Sequence, residues 1–230
     1  MSKITAIVNQ KGGVGKTTTA LNLSYALSER NKKVLLVDFD PQASLTAALG
    51  HNADNKDNIQ TLMAAAIEEK EIKGDYIINI KNNLDLIPCS LELAGIEISL
   101  VNVMSREIIL KSILGNIHDD YDYIIIDCSP SLGMLTINAL AACDSVIIPV
   151  TAEYLSAKGL GLLINNINKI RKRINPSIKI DGILMTMLNE RTNLSKNMIK
   201  GIGEVTDHIK KLYNMDLKLF ESRIPQIVLS

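Results

Sequence analysis

An α/β fold with a mainly parallel sheet buried between helices is what this sequence predicts. Three observations predict it. Short β-branched apolar runs recur along the 230 residues, helical patterns lie between them, and a glycine-rich loop joins the first run to the first helix. The runs cover residues 4–8, 34–37, 123–126, 146–150 and 180–188. They are continuous rather than alternating, which suits strands covered on both faces. Helical spacing is clearest at Leu160, Leu163, Ile164, Ile167, Ile170 and Ile174, and again at Leu194, Met198, Ile202, Val205, Ile209 and Leu212. Strands alternating with such helices imply βαβ units. The stretch 51–73 breaks the rhythm. It is polar and acidic around an apolar patch at 62–67, and it predicts a short helix and a loop. Residues 76–80 and 84–87, separated by Lys81, Asn82 and Asn83, predict a small hairpin or two edge strands.

Composition narrows the class. Hydrophobic residues make up 47%, and 25 Lys+Arg balance 25 Asp+Glu. A disordered chain needs low hydrophobicity and high net charge, so that class is excluded. Cys89, Cys128 and Cys143 are an odd number at wide spacing, which excludes a disulfide scaffold and fits no metal-ligand pattern. Each reads as a small buried hydrophobe. The opening apolar run is too short for a signal peptide, and no run of 18 apolar residues occurs, so a cytoplasmic protein with no membrane contact is expected. No Pro/Gly/Ser-rich linker divides the chain, and one domain is predicted.

The first run leads into Gln10-Lys11-Gly12-Gly13-Val14-Gly15-Lys16-Thr17-Thr18, and a helix over 18–28 with Leu21, Leu23 and Leu27 follows. Strand, glycine loop and helix in that order are what a phosphate loop needs. Glycines let backbone N–H groups turn onto phosphate oxygens, and the helix start adds its dipole. Lys16 is placed to bridge β- and γ-phosphates and the Thr17 hydroxyl to hold Mg²⁺, so ATP and Mg²⁺ are the expected cofactors. The loop departs from G-x-x-x-x-G-K-[ST] at its first glycine, which is Gln10 here.

Two acids complete the expected site. The run 123–126 closes on Asp127, the arrangement that holds Mg²⁺ directly or through water. The run 34–37 leads to Asp38, Phe39, Asp40 and Pro41. Pro41 has no N–H and ends the strand, which leaves Asp40 at the carboxyl end, where ligands of open α/β sheets bind. Asp40 is placed to orient water for attack on the γ-phosphate, and Thr17, Asp40 and Asp127 are the expected metal residues.

Residues 11–18 resemble the deviant Walker A motif of the ParA/MinD superfamily. Residues 37–42 look like its switch I. Asp127-Cys128-Ser129-Pro130-Ser131-Leu132-Gly133 resembles its switch II, with Ser129 where Pro is usual. Thr136-Ile137-Asn138-Ala139-Leu140 and residues 184–194 resemble Soj-type ParA segregation ATPases, and the likeness runs from Met1 to about Pro225. It implies a three-layer P-loop NTPase fold with a mainly parallel twisted sheet flanked by helices. It implies an ATPase that turns over weakly unless stimulated. ATP closes a sandwich homodimer in which Lys11 of one subunit reaches the phosphates of the other, as an arginine finger does. Lys11, Lys16 and Asp40 then form the catalytic set. Non-specific double-stranded DNA and a ParB-like centromere-binding protein are the implied partners, and the location is the nucleoid within the cytoplasm. Asn189 and Pro225 match adenine-side positions, and Arg191 matches a DNA contact. Past Pro225 the family's Arg and Asn are replaced by Gln226 and Ile227, and the sequence ends at Ser230. The expectation is therefore a single domain over 1–230 that lacks the family's usual C-terminal strand and helix.

The neutral total hides a division. Residues 1–168 carry 13 basic and 19 acidic side chains, a net of −6, and residues 169–230 carry 12 and 6, a net of +6. Lys169, Arg171, Lys172 and Arg173 end one helix, and Arg191, Lys196, Lys200, Lys210 and Lys211 lie on or near the next. Lys196 and Lys200 are one turn apart and share a face. Such residues neutralise phosphates without reading bases. No aromatics interleave, so stacking on single strands is not expected. Two other functions remain open on sequence grounds. A MinD-like membrane cycle needs a basic amphipathic C-terminal helix, and nothing after Ile224 supplies one. A nucleotide-binding interaction protein with negligible turnover fits Ser129. A metabolic P-loop enzyme fits less well, because an iron–sulfur reductase needs cluster-ligating cysteines that Cys128 alone does not provide.

Overall fold

The apolar runs pair into one sheet. In the computed structural model, residues 2–53, 57–71, 74–151, 157–188, 193–213, 215 and 217–225 are described, without the side chains of 157, 158, 193–200, 205 and 208. The strands are β1 (Lys3–Ile7), β2 (Val34–Phe39), β3 (Ile78–Lys81), β4 (Leu84–Ile87), β5 (Tyr123–Cys128), β6 (Ser145–Thr151), β7 (Lys179–Leu188) and β8 (Leu219–Pro225). Their order is β3-β4-β2-β5-β1-β6-β7-β8, and only β3 runs antiparallel to its neighbour. The expected three-layer, mainly parallel architecture is present. The 76–87 segment is a hairpin at one edge, with Asn83 at φ 63 in its turn. At the other edge β8 carries Glu221 and Arg223 on alternate exposed positions, as an edge strand should. Gly182 lets β8 approach, because a Cβ there would lie 2.9 Å from the Phe220 ring.

The helices are α1 (Lys16–Ser28), α2 (Ser44–Ala48), α3 (Ile59–Ile67), α4 (Leu93–Ser99), α5 (Ile109–Gly115), α6 (Met134–Ala142), α7 (Ala157–Arg173) and α8 (Asn193–Tyr213). Side chains of a strand alternate between faces. Val34 and Leu36 join Ile7, Ala20, Leu45 and Ile125 in one buried cluster on the α1 face. Leu35, Val37, Phe39, Ile124 and Ile126 join the larger cluster on the opposite face, with residues from α3 to α8.

Helix α1 buries its small residues rather than its leucines. Leu21, Leu23 and Leu27 are only half-buried, while Ala20, Ser24 and Ser28 face the sheet. Small residues let the helix approach closely. The hydroxyls of Ser24 and Ser28 donate to the Ala20 and Tyr25 carbonyls at 2.8 Å, so their burial leaves no orphan. Helix α3 fills the expected short-helix position. Its start is a capping box, in which Asn58 accepts from Gln60 N at 2.8 Å and Thr61 Oγ1 accepts from Asn58 N at 3.0 Å.

Candidate phosphate and magnesium site

Strand register assembles the site. At the centre of the sheet Ile7 pairs with Asp127, and Asp127 with Asp38. Asp127 lies two residues beyond Ile125, and Asp38 two beyond Leu36, so both acids face α1. The chain leaves β1 and turns through the glycine loop back into that helix. Asn9 anchors the turn: its Nδ2 donates to the Pro149 carbonyl at 2.6 Å, and its Oδ1 accepts from Lys11 N at 3.1 Å. Gly13 and Gly15 sit at φ 71 and 81. A side chain in that left-handed region costs about 1–2 kcal/mol. Gly12, Gly13 and Thr18 are exposed, Gly15 and Thr17 half-buried, and Val14 is buried beneath the loop. Thr186 on β7 pins Val14 from below, its hydroxyl lying 2.8 Å from the Val14 carbonyl and 3.1 Å from the Val150 carbonyl. The start of α1 has no side-chain cap, so its first N–H groups remain for an anion.

Lys16 is buried at this start, and its Nζ donates to the Lys11 carbonyl at 3.4 Å. Burial lowers its pKa, and Asp127 and Asp40 oppose that shift. Asp38 accepts from Thr46 through the backbone N–H at 2.8 Å and the hydroxyl at 2.7 Å. Burial still pushes its pKa up to about 6. Asp40 is buried just past β2, with Oδ1 accepting from Gln42 N at 3.0 Å. Asp127 is different. Both of its oxygens are buried without a hydrogen-bond partner. Burial pushes its pKa up to about 7, with Asp38 and Asp40 adding to the shift; Thr17 and Lys16 oppose it by proximity, neither making a well-formed hydrogen bond.

A buried carboxylate left without a partner fits a cation. Asp127 and the half-buried Thr17 hydroxyl offer hard oxygens. Among the described residues, no three His, Cys, Asp or Glu side chains converge on one metal position. That donor set fits Mg²⁺, which keeps waters and phosphate oxygens in its shell and takes one or two protein ligands. Cys128, next to Asp127, is buried and its thiol is pushed well above its usual range, so it is inert. Cys89 and Cys143 are free and buried too.

The remaining sequence candidates separate. Asn189 and Arg191 lie outside the described residues, and Lys196 and Lys200 are described in backbone only, on the first half of α8. Pro225 ends β8 in register with Leu188. Arg171 and Lys172 end α7, where Arg171 Nη2 donates to the Tyr213 carbonyl at the far end of α8 at 3.1 Å. Sequence reasoning gave Asp38 no role of its own, and it passed over Asn9, Thr46 and Thr186. The signal for the two threonines was faint, since each acts by a single hydroxyl from another element.

Glycine loop, buried lysine, orphaned aspartate and parallel sheet together define a P-loop nucleotide-hydrolysing enzyme. Comparison with known proteins agrees. A family described as "AAA domain" matches residues 2–180. The sporulation initiation inhibitor protein Soj of Bacillus subtilis is 45% identical over 99% of this chain and 86% of its own length. The chromosome partitioning protein ParA of Myxococcus xanthus is 40% identical over 99% of this chain and 77% of its own. Among solved structures, the cobyrinic acid a,c-diamide synthase of Mycobacterium smegmatis with bound ADP and magnesium superposes with a TM-score of 0.86. It is 33% identical, over 99% of this chain and 88% of that one. The chain belongs to the ParA/Soj family of ATPases.

Proposed function

We propose that this ATPase is a DNA-partitioning switch, timed by its nucleotide. The observation that carries the reading is the orphaned Asp127 carboxylate beside Lys16 at the mouth of the glycine loop. The loop and the start of α1 bind the phosphates of ATP, and Lys16 holds the β- and γ-phosphate charge. Asp127 and Thr17, with Asp40 close by, hold Mg²⁺, which neutralises phosphate charge when bound. Asp40 orients the attacking water. Asn189 and Pro225 flank the adenine. Lys11 completes the site from a second copy across a sandwich dimer, so turnover waits for dimerisation. The ATP dimer holds double-stranded DNA without reading its sequence, through Arg191, Lys196 and Lys200 with Arg171 and Lys172. A ParB-like partner stimulates hydrolysis, and the dimer then releases the nucleoid. The protein works in the cytoplasm as one domain. Among the described residues no helix is long and apolar enough to cross a membrane. The likeness to a diamide synthase supports the nucleotide and metal roles; the identity to partition proteins supports the switch.

DNA retention and particle size, measured with ATP, with ADP and for Lys16→Ala, test the switch. Retention with ATP alone is expected, and equal retention in all three states sinks it. Asp40→Ala should keep ATP binding and the dimer while turnover stops; normal turnover would remove Asp40 from its role.

A further inference from the structure

The loop after Asp127 ends at Gly133, which starts α6 with no side-chain cap. That start is held from outside. Glu97 on α4 accepts the Leu135 N–H through Oε1 at 3.3 Å. A Cβ at position 133 would overlap the same carboxylate. The φ of Gly133 is −72, so backbone freedom does not call for glycine there; a Cβ would need only the flexible end of Glu97 to move aside. A carboxylate suits this place, because the first turn of a helix carries unpaired N–H groups and partial positive charge.

A second fastening lies one turn further along α6. The buried Asn138 accepts from Leu110 N at 3.1 Å and donates to the Arg106 and Met134 carbonyls at 2.8 and 3.0 Å. Between the two fastenings runs a segment whose Ile98, Val101 and Met104 are 78%, 58% and 90% exposed. The fastenings differ in kind. Asn138 is sealed in the core with three bonds. Glu97 is half-buried and makes its one bond at the open end of a helix, so a small shift of α4 can make or break it.

We propose that Glu97 is a positioning residue for ATP hydrolysis: its carboxylate, carried on a surface helix, holds the amino end of α6 and thereby sets the course of the 129–133 loop that leaves the Asp127 strand at the phosphate mouth. It touches neither nucleotide nor metal. Its effect falls on turnover, because it holds α6 and the loop after Asp127, whereas the phosphate-binding groups lie on the glycine loop and the start of α1. The inference rests on the ATPase reading of Lys16 and Asp127 for its kinetic consequence only.

The test uses the full chain and Glu97→Ala, Glu97→Gln, Gly133→Ala and the Glu97→Ala/Gly133→Ala pair. ATP turnover and amide hydrogen exchange over 129–137 are both read. Glu97→Ala should lower kcat about five-fold or more with KM for ATP within about two-fold, the pattern of lost positioning rather than lost binding. Glu97→Gln keeps an acceptor of the same shape and should recover most of the rate. Gly133→Ala evicts the carboxylate without deleting it, and should give the same loss as Glu97→Ala. The pair should be no slower than the slower single, because both changes break one contact. Exchange over 129–137 should rise in both alanine variants and stay near the parent in Glu97→Gln. An unchanged kcat in folded Glu97→Ala overturns the proposal, as does a pair whose loss is the product of the singles. If the parent binds but does not hydrolyse ATP, the ATPase reading fails by itself; unaltered exchange in Glu97→Ala then overturns the Glu97 hold, and raised exchange supports it.

Discussion

At Asp127 burial and charge conflict. The carboxylate has no hydrogen-bond partner, and its pKa is pushed up to about 7, against a usual 3.8. Asp38 follows the same direction to about 6. A carboxyl whose folded pKa is raised takes up a proton on folding between the two values. Stability of the nucleotide-free protein therefore falls as pH rises from about 4 to 7, by at most about 1.4 kcal/mol per pH unit for each such group. Asp127→Asn removes that penalty. The nucleotide-free variant should melt above the parent at pH 8, and the difference should shrink steadily below pH 7 and approach zero only near pH 4. Thermal melts across that range decide it, and a pH-independent difference counts against the assignment. In the same variant, magnesium-dependent stabilisation by ATP should disappear. Asp127 was legible in the sequence because an apolar strand run closes on it downstream of a phosphate loop. Asp38 was less so: it also follows an apolar run, and only its burial beside Thr46 separates it from Asp40.

Elements were legible where burial is two-sided. β1, β2, β5, β6 and β7 all appear within a residue or two of their apolar runs, because strands covered on both faces have no polar positions to blur the signal. β8 was not, since charges on alternate positions are what an edge strand shares with a loop. The buried face of α1 was not legible for a related reason. Its small and hydroxyl residues are buried by close approach, and hydrophobicity alone ranks its leucines first. Thr186 shows how such elements are joined to the site. One hydroxyl on β7 serves the Val14 carbonyl of the glycine loop and the Val150 carbonyl of β6. Thr186→Val keeps the shape and leaves those carbonyls unserved. It should cost about 1–2 kcal/mol in urea unfolding and raise KM for ATP several-fold, since a buried acceptor loses its donor and the loop its tether. Unchanged stability together with unchanged KM would show that the loop holds itself.

Charge is distributed at the scale of the whole molecule, and the fold divides it further than the sequence does. The segment 169–230 is +6 against −6 for the rest. In sequence its lysines and arginines look like one stripe, but α8 runs back from the carboxyl end of β7 across its 21 residues, about 30 Å. Lys196 and Lys200 lie on the first half of α8, the end that follows the carboxyl end of β7. Arg171 is bound to the Tyr213 carbonyl at the other end, with Lys172, Lys210 and Lys211 close to it in sequence or on the same helix turn. Under the proposed switch, a duplex held at the α8 start would be sensitive to ATP and one held at its far end would not. DNA retention at rising salt separates the two. With ATP, the log of the binding constant should fall linearly with log salt, by about 0.9 for each phosphate neutralised. Lys196→Ala with Lys200→Ala should reduce that slope by about 2 and narrow the gap between ATP and ADP. Lys172→Ala should weaken retention in both nucleotide states alike, reducing the slope by about 1 and leaving the gap unchanged. All these losses should be equal on DNA of unrelated sequence, because phosphates carry no sequence information. If the Lys196 and Lys200 pair lowers ATP and ADP retention by the same factor, nucleotide and DNA are not coupled through α8, and the switch has to work through some other surface.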